Sequence, residues 1–374
     1  MEHQSFNMPT SLAAPDPRPE TGVALDFQRF EAGHLLTDAW LRLERHASLP
    51  TQTLGFIAAL AQSLLAGVGI VVFVGRGEEG IEALIPLCRG ASYAARWRLA
   101  GACEVFEPGD ALCAGEQGAA LLAQVLARDP HALSLDRIPA RSLLIPALRV
   151  AMRGRGLVSV RPARGCPTIA LDANWGQGES FLNAGRRSDF RRAERRAAAM
   201  GAVFHEIIAP DPCEFDTLFD EAIAVEMNSW KRAAGSAIGC NPAKEAFVRA
   251  WFRHACEQGT LRIAFLRIGH KAVAMQLAVV SLNRYWLFKI GYDEAYRSCS
   301  PGNLLMLHSL RHAARAGLEA YELLGEAEPW IADFWTRDNH DCVRLRTYPF
   351  NPRGLLALAA DGLVWLKGRL RRKA

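Results

Sequence analysis

LRIAFLRIGHKAVAMQLAVVSLNRYWLFKIGYDEAYRSCSPGNLLMLHSLRHAARAGLEAYELL, residues 261–324, is the stretch whose reading decides the fold. Residues 261–268, 272–280 and 285–291 are three apolar runs rich in β-branched and aromatic residues, each short enough for a strand. Gly269-His270 closes the first turn and Leu282-Asn283 the second. A loop with Gly302 leads into helix 303–316, then strand 319–323, a further loop and a last strand at 342–348. Three consecutive strands, a helix and two more strands predict a mixed sheet with helices packed on it.

Working back along the chain, 243–257 reads as a helix and 215–232 as one long helix. Residues 203–208 read as a strand, and 188–200 as a strongly basic helix ended by Gly201. Residues 168–171 open this half with a strand. The segment RPARGCP, 161–167, has two prolines, a glycine and no periodicity, which places a boundary near 165. Before it lie helices at 37–47 and 54–66 and a hairpin of strands 69–75 and 81–87 around Gly-Glu-Glu-Gly. Strands at 97–100, 131–137 and 156–161 and helices at 116–127 and 142–153 complete the first half. The fold class predicted is mixed α/β in two similar halves, each a mixed sheet flanked by helices. Residues 23–164 form the first half and 165–350 the second, followed by a basic amphipathic helix from 351. The proline-bearing residues 1–22 read as a disordered tail rather than a secretory signal.

Composition agrees with a globular chain of this size. Half of the 374 residues are hydrophobic, 22% are charged, and the net charge is +5, enough apolar material for two cores. No apolar run reaches the roughly 18–20 residues of a membrane span. Nine scattered cysteines form no C-x-x-C pair, so free thiols in a reducing, cytoplasmic setting are expected and a metal site is not. No Walker-type phosphate loop, nucleophile elbow or H-E-x-x-H is present, which disfavours an NTPase, a serine hydrolase or a zinc protease.

Residues 291–330 carry Gly291-Tyr292-Asp293 behind Lys289, then Ser300-Pro301-Gly302, Leu304-Leu305, Ala316-Gly317-Leu318 and Gly325-x-x-Glu328-Pro329. With these motifs the chain resembles the GNAT superfamily of acyltransferases, in particular the CelD/BcsL-type acetyltransferases associated with cellulose biosynthesis. More distantly it is similar to Fem-type peptidyltransferases. The basic helix GRRSDFRRAERR and the strand GAVFHEI look like that family's opening, and the likeness covers about 165–350. Trp330 is followed by Ile331, where that family tends to carry a lysine.

The resemblance implies tandem GNAT-like halves with an acyl-CoA, acetyl-CoA by expectation, as cosubstrate in the second. The acceptor implied is an amine or hydroxyl on a small molecule or glycan, an envelope or exopolysaccharide precursor. In such folds the turn after the fourth strand holds the CoA pyrophosphate on helix N–H groups, which assigns cofactor binding to Gly291, Ser300, Pro301, Gly302 and Asn303. The same Ser-Pro-Gly is also an ordinary helix start. Lys289 interrupts an apolar strand, unusual for an ammonium unless it is paired or faces a cleft. With it, Tyr292 as acid and Asp293 as base form the candidate catalytic set; a strand-end ion pair is the alternative reading. Glu226 and Trp230, four apart, share a helix face at the acceptor site, Glu226 as a further candidate base and Trp230 as a substrate contact. Arg186, Arg187, Arg191, Arg192, Arg195 and Arg196 suit phosphate recognition or a solvated face, with Arg191 and Arg195 assigned to substrate. DNA is not an expected partner. tRNA enters only through the Fem-type alternative, and a non-catalytic binding protein is the third reading. The helix ending in Lys367, Arg369, Arg371, Arg372 and Lys373 either caps the first half or rests on an anionic membrane.

Overall fold

Alternating apolar side chains build each strand, and the computed structural model describes residues 24–26, 34–176, 182–326 and 328–371. In chain order the strands and helices of the first half are β1 (Ala24–Asp26), α1 (His34–Leu43), α2 (Leu54–Gln62), β2 (Ile70–Gly77), β3 (Gly80–Cys88) and β4 (Trp97–Leu99). They continue with β5 (Leu112–Cys113), α3 (Gly115–Arg128), β6 (Leu133–Pro139), α4 (Leu144–Ala151) and β7 (Gly156–Ala170). Then follow α5 (Ala173–Gly176), α6 (Ala184–Met200), β8 (Val203–Ile208), α7 (Phe215–Met227), α8 (Trp230–Ala233) and α9 (Pro242–Glu257). The chain closes with β9 (Leu261–Ile268), β10 (Lys271–Ser281), β11 (Arg284–Tyr292), α10 (Pro301–Arg315), β12 (Ala320–Glu322), α11 (Pro329–Phe334), β13 (Asn339–Pro349) and α12 (Pro352–Arg371). The expected mixed α/β class and its helix-flanked sheets are what the structure shows. Residues 1–22, expected as a tail, lie outside the described residues.

The strands form one sheet in the order β1-β2-β3-β4-β6-β13-β7-β12-β11-β10-β9-β8, with β5 on β3. Two features bear on the region of the expected boundary. The RPARGCP segment lies within β7, which pairs with β13 over Gly156–Pro167 and with β12 over Thr168–Ala170. The last strand, β13, also leaves the second half and inserts between β6 and β7 of the first. β7 itself carries a bulge between its two prolines: Arg164 and Gly165 together oppose Asp341, between the pairs Ala163–Cys342 and Cys166–His340.

A second tie between the halves is aromatic. Phe56 of α2 meets Phe247 and Trp251 of α9 edge-on, with ring centroids 5.4 and 5.0 Å apart. The same core holds Trp40, Phe215, Phe219, Met275, Leu277, Trp286 and Phe288. It buries the α7 face of the second-half strands. The opposite face is covered by α10, through Leu304, Leu305, Met306 and Leu310. α12 docks on β13 by its first turns. Gly354 allows the close approach, since a Cβ there would sit 2.0 Å from the Pro349 carbonyl oxygen. Asp361 accepts from the Tyr348 hydroxyl (2.6 Å) and pairs with Arg96 (2.7 Å) and Arg346 (2.9 Å).

Candidate active site

β11 determines the site. It pairs in parallel with β12 only over Arg284–Trp286 against Ala320–Glu322, so beyond Trp286 the two strands diverge and leave a notch. A bulge in β11, between the pairs Leu277–Lys289 and Ala278–Leu287, makes Phe288 the extra residue. Without that extra residue Lys289 would fall on the α10 face. With it, Lys289 lies beside Leu277, on the α7 face, at the divergence. That is how an ammonium is accommodated in an apolar strand.

Gly291 lies two residues further along, against α7. A Cβ at this position would stand 3.0 Å from the Glu226 Cα and 3.1 Å from its Cβ and Cγ, so glycine is what lets helix and strand meet here. Glu226 is 1% exposed. Its Oε2 accepts from the Ile238 N–H (2.8 Å) and its Oε1 faces the Lys231 Nζ at 3.4 Å. Lys231 also donates to the Ile290 carbonyl at the lip of the notch. Burial pulls the Lys231 ammonium below its ordinary pKa, opposed by the charge of Glu226. Across the notch, Glu107 of the first half accepts from the Gly325 N–H (2.9 Å). Burial pushes the Glu107 carboxyl up, and the nearby Lys289 ammonium opposes this. Lys244 is pulled down by burial first and by Lys289 next. Three lysines and two glutamates, contributed by both halves, thus gather at one end of β11.

Glu226 and Trp230 do not share a helix face. α7 stops at Met227, and Ser229 caps α8, its hydroxyl accepting from the Lys231 N–H at 3.3 Å. The break leaves Trp230 53% exposed while Glu226 is buried. Lys231, one residue beyond Trp230, is what meets the carboxylate. Asp293 is engaged elsewhere. Its Oδ1 accepts from the Ala295 N–H (2.9 Å) and its Oδ2 pairs with the Lys271 Nζ (2.7 Å). Tyr292 points to the α10 face, opposite Lys289, where its ring lies 3.5 Å from a Cβ built on Gly302. Burial, then Glu294, raises its hydroxyl pKa.

The α10 start forms a second part of the site. Ser300 takes the left-handed conformation (φ 49°, ψ 54°), uncommon for a residue with a side chain. Its hydroxyl makes no cap, so of the two roles the sequence allows, capping is not used. Pro301 has no N–H, and the amides of Asn303 and Leu304 both reach the Ser300 carbonyl (3.1 and 3.2 Å), which leaves Gly302 as the first-turn donor. Beside them lies a groove of about 270 Å³ lined by Ser300, Asn303, Arg192, Arg196, Asp189 and Phe334, among others. Arg196 donates to the Ser298 carbonyl (3.0 Å) and Arg192 to Asp189 (2.7 Å).

The phase of α6 separates its arginines into two sets. Phe190, Ala193 and Ala197 are its buried face, which turns Arg192 and Arg196 to the α10 groove. Arg191 and Arg195 line a separate open groove with Arg187 and Glu194. Sequence reasoning missed Lys231, Lys244 and Glu107. Lys231 and Lys244 carried a usable signal, as lysines close in sequence to apolar helix residues. Glu107 carried none, since only tertiary folding brings it to Gly325. Among the described residues, no group of three or more His, Cys, Asp or Glu side chains is placed to hold a metal ion. All nine cysteines are unbridged.

β11 and β12, within the mixed sheet, thus diverge near the start of α10. Residues 184–330, which hold the notch, Glu226, Lys289 and the α10 start, match the family model of an acetyltransferase (GNAT) domain. Several solved structures share the fold at low identity. The C-terminal DUF2156 domain of an Agrobacterium fabrum protein described as a lysylphosphatidylglycerol synthetase is 14% identical, with a TM-score of 0.50 over 87% of this chain and 95% of that one. FemX is 10% identical, with a TM-score of 0.53 over 84% and 96%. A conserved protein of unknown function from Bacteroides thetaiotaomicron VPI-5482 is 10% identical, with a TM-score of 0.53 over 83% and 96%. No curated protein matches the sequence.

Proposed function

We propose that the protein transfers an acyl group from an acyl-CoA to an amine or hydroxyl acceptor at the β11–β12 notch. The observation that supports this most is the coincidence of two features: an open strand edge lined by Lys289 and Lys231 with Glu226 buried behind Lys231, and an anion-suited groove at the start of the adjoining helix. The groove suits a diphosphate by its donors. Arg192 and Arg196 supply planar guanidinium forks, and the Ser300 hydroxyl supplies a neutral donor. Asp189 in the same groove is neutralised by Arg192. A thioester carried by CoA would provide the activated acyl carbon; the remaining chemistry is done by protein groups.

Attack by an amine or alcohol on that carbon requires removal of one proton and return of one to the departing thiolate. We assign the first role to Glu226. Its carboxylate is held in place by the Ile238 N–H, and it is joined to Lys231, whose ammonium reaches the strand edge. Lys289 and Lys231 supply positive charge where negative charge develops. Asp293, with both oxygens engaged by Lys271 and Ala295, holds the turn after β11, and Tyr292 supports the α10 face of the notch. Trp230, exposed beside the Glu226–Lys231 pair, is placed for the acceptor. Arg191 and Arg195 lie on the other side of α6, where they suit an anionic portion of that acceptor. An envelope or exopolysaccharide precursor as acceptor is supported by the CelD/BcsL-type resemblance alone.

The test is a single-turnover assay with a panel of acyl-CoAs against amine, sugar and peptide acceptors, run in parallel with aminoacyl-tRNA. Consumption of an acyl-CoA, abolished by Glu226→Gln, is the expected result. Activity with aminoacyl-tRNA alone would replace the proposal by a Fem-type transfer, and CoA binding without turnover would leave a binding protein.

A further inference from the structure

α12 docks by a narrow face of small residues and one acid. Its docked face carries Gly354, Ala357 and Asp361, and Asp361 is held by Arg96, Arg346 and Tyr348. At 100° per residue, Leu355, Leu356, Ala359, Leu363 and Leu366 fall within one sector of about 100° on the opposite side. That sector faces solvent: Leu355 is 55% exposed, Leu356 52%, Leu363 60% and Leu366 48%. Val364 and Trp365 are also exposed, and the Arg369 guanidinium lies 5.2 Å from the Trp365 ring centroid. A stripe of four exposed leucines on one helix is a contiguous apolar patch of the kind that marks an interaction surface. Among the described residues, no helix is long and apolar enough to cross a membrane.

Charge decides between occupants. From residue 362 to the end the sequence carries Lys367, Arg369, Arg371, Arg372 and Lys373 and no acidic residue. The helix of a second copy would offer these runs no free acid, since Asp361 is the only one in 351–374 and is held by Arg96, Arg346 and Tyr348. A layer of anionic headgroups would neutralise them. The stripe would enter the acyl boundary, and long basic side chains at its edge would reach back to the phosphates. We infer that α12 docks the protein, lying in the plane of the interface, on a membrane surface containing anionic phospholipid. This inference rests on α12 alone and is independent of the acyl-transfer reading.

The test is co-sedimentation of the full chain with phosphatidylcholine vesicles, with and without phosphatidylglycerol. Three proteins are compared: wild type, Leu363→Gln/Leu366→Gln and Lys367→Gln/Arg369→Gln. These side chains are exposed, so the variants should fold, which circular dichroism checks. The wild type is expected to bind the phosphatidylglycerol vesicles, with binding weakening as salt rises. The leucine variant should lose roughly tenfold or more in partition, by the area it no longer buries. The lysine–arginine variant should lose most of its preference for the anionic vesicles. Equal binding to neutral vesicles, no binding, or full binding by the leucine variant would overturn the inference. So would a concentration-dependent dimer in analytical ultracentrifugation that the leucine changes abolish, because the occupant would then be a second copy.

Discussion

Adding one methyl group at Gly291 should injure both stability and turnover. In Gly291→Ala the new carbon would lie 3.0 Å from the Glu226 Cα and 3.1 Å from its Cβ and Cγ, against an optimal carbon–carbon separation of about 3.5–4.0 Å. The nearest of these atoms is helix backbone, so no rotamer change relieves the contact. α7 is anchored by the fully buried Phe215, Phe219 and Ala222, and it has to move by a few tenths of an ångström. Such overpacking costs about 1–3 kcal/mol, or roughly 2–10 °C in Tm for a protein of this size class. The displaced Glu226 should lower the transfer rate by about tenfold, since small misplacements of a catalytic group are costly. Gly302→Ala is the matched control. Its nearest neighbour would be the Tyr292 ring at 3.5 Å, an ordinary contact, and a helical Gly→Ala change gains up to about 1 kcal/mol. Thermal unfolding and single-turnover transfer on both variants make the comparison. A Gly291→Ala protein with wild-type Tm and rate would refute the reasoning that the strand–helix approach sets the position of Glu226.

Four further outcomes are expected. Glu226→Gln keeps an acceptor for the Ile238 N–H but removes the charge opposite Lys231, so turnover should fall at least about 100-fold while acyl-CoA affinity changes little; an unchanged rate removes Glu226 from the mechanism. Asp293→Asn keeps the Ala295 contact and loses a half-exposed pair with Lys271, about 0.2–1 kcal/mol, and turnover should survive; a collapse in rate would return the role of base to Asp293. His308 stacks on His205 at 4.7 Å, and its pKa is pulled down to about 4, chiefly by burial and then by His205, His312, Arg311 and Arg315. Between that value and about 6.5 the unfolded chain binds more protons there, so stability is present above about 6.5 and is lost as pH falls toward 4; denaturant titrations across that range should show a shallower slope for His308→Gln. Asp361→Ala removes the partner of Arg96, Arg346 and Tyr348 and should cost about 1.5–3 kcal/mol; an unaltered Tm would show that α12 docks without it.

The strands and most helices were legible in the sequence because their periodicity is clean: 261–268, 271–281 and 284–292 fall within a residue of where apolar alternation puts them. Which strands pair was not. Nothing in 342–348 says that this run leaves its own half to lie between β6 and β7, since pairing is decided by tertiary packing. RPARGCP reads as a boundary because of its two prolines and its glycine, yet it runs on as one strand whose extra residue is taken up as a bulge opposite Asp341. The 215–232 helix reads as continuous because apolar residues continue past Met227, and the two-residue Asn228-Ser229 break is too short to interrupt that pattern. At the site, Lys289 stood out as an ammonium in an apolar strand, while Glu226 entered by its spacing from Trp230 and Ser300–Asn303 as a turn that opens a helix. Choosing Arg192 and Arg196 over Arg191 and Arg195 requires knowing that Phe190, Ala193 and Ala197 face the core, and helical spacing alone does not give that phase. Glu107 joins the site only by folding.

The most direct test is calorimetric titration of acetyl-CoA into the wild-type protein and into Arg192→Ser/Arg196→Ser. Both arginines sit on the exposed side of α6, so the variant should keep the wild-type fold. Saturable binding by the wild type, weakened at least about tenfold in the variant and progressively by salt, is the expected result. Equal affinity in the two proteins, or no binding by the wild type, would contradict the assignment of an acyl-CoA site at the start of α10.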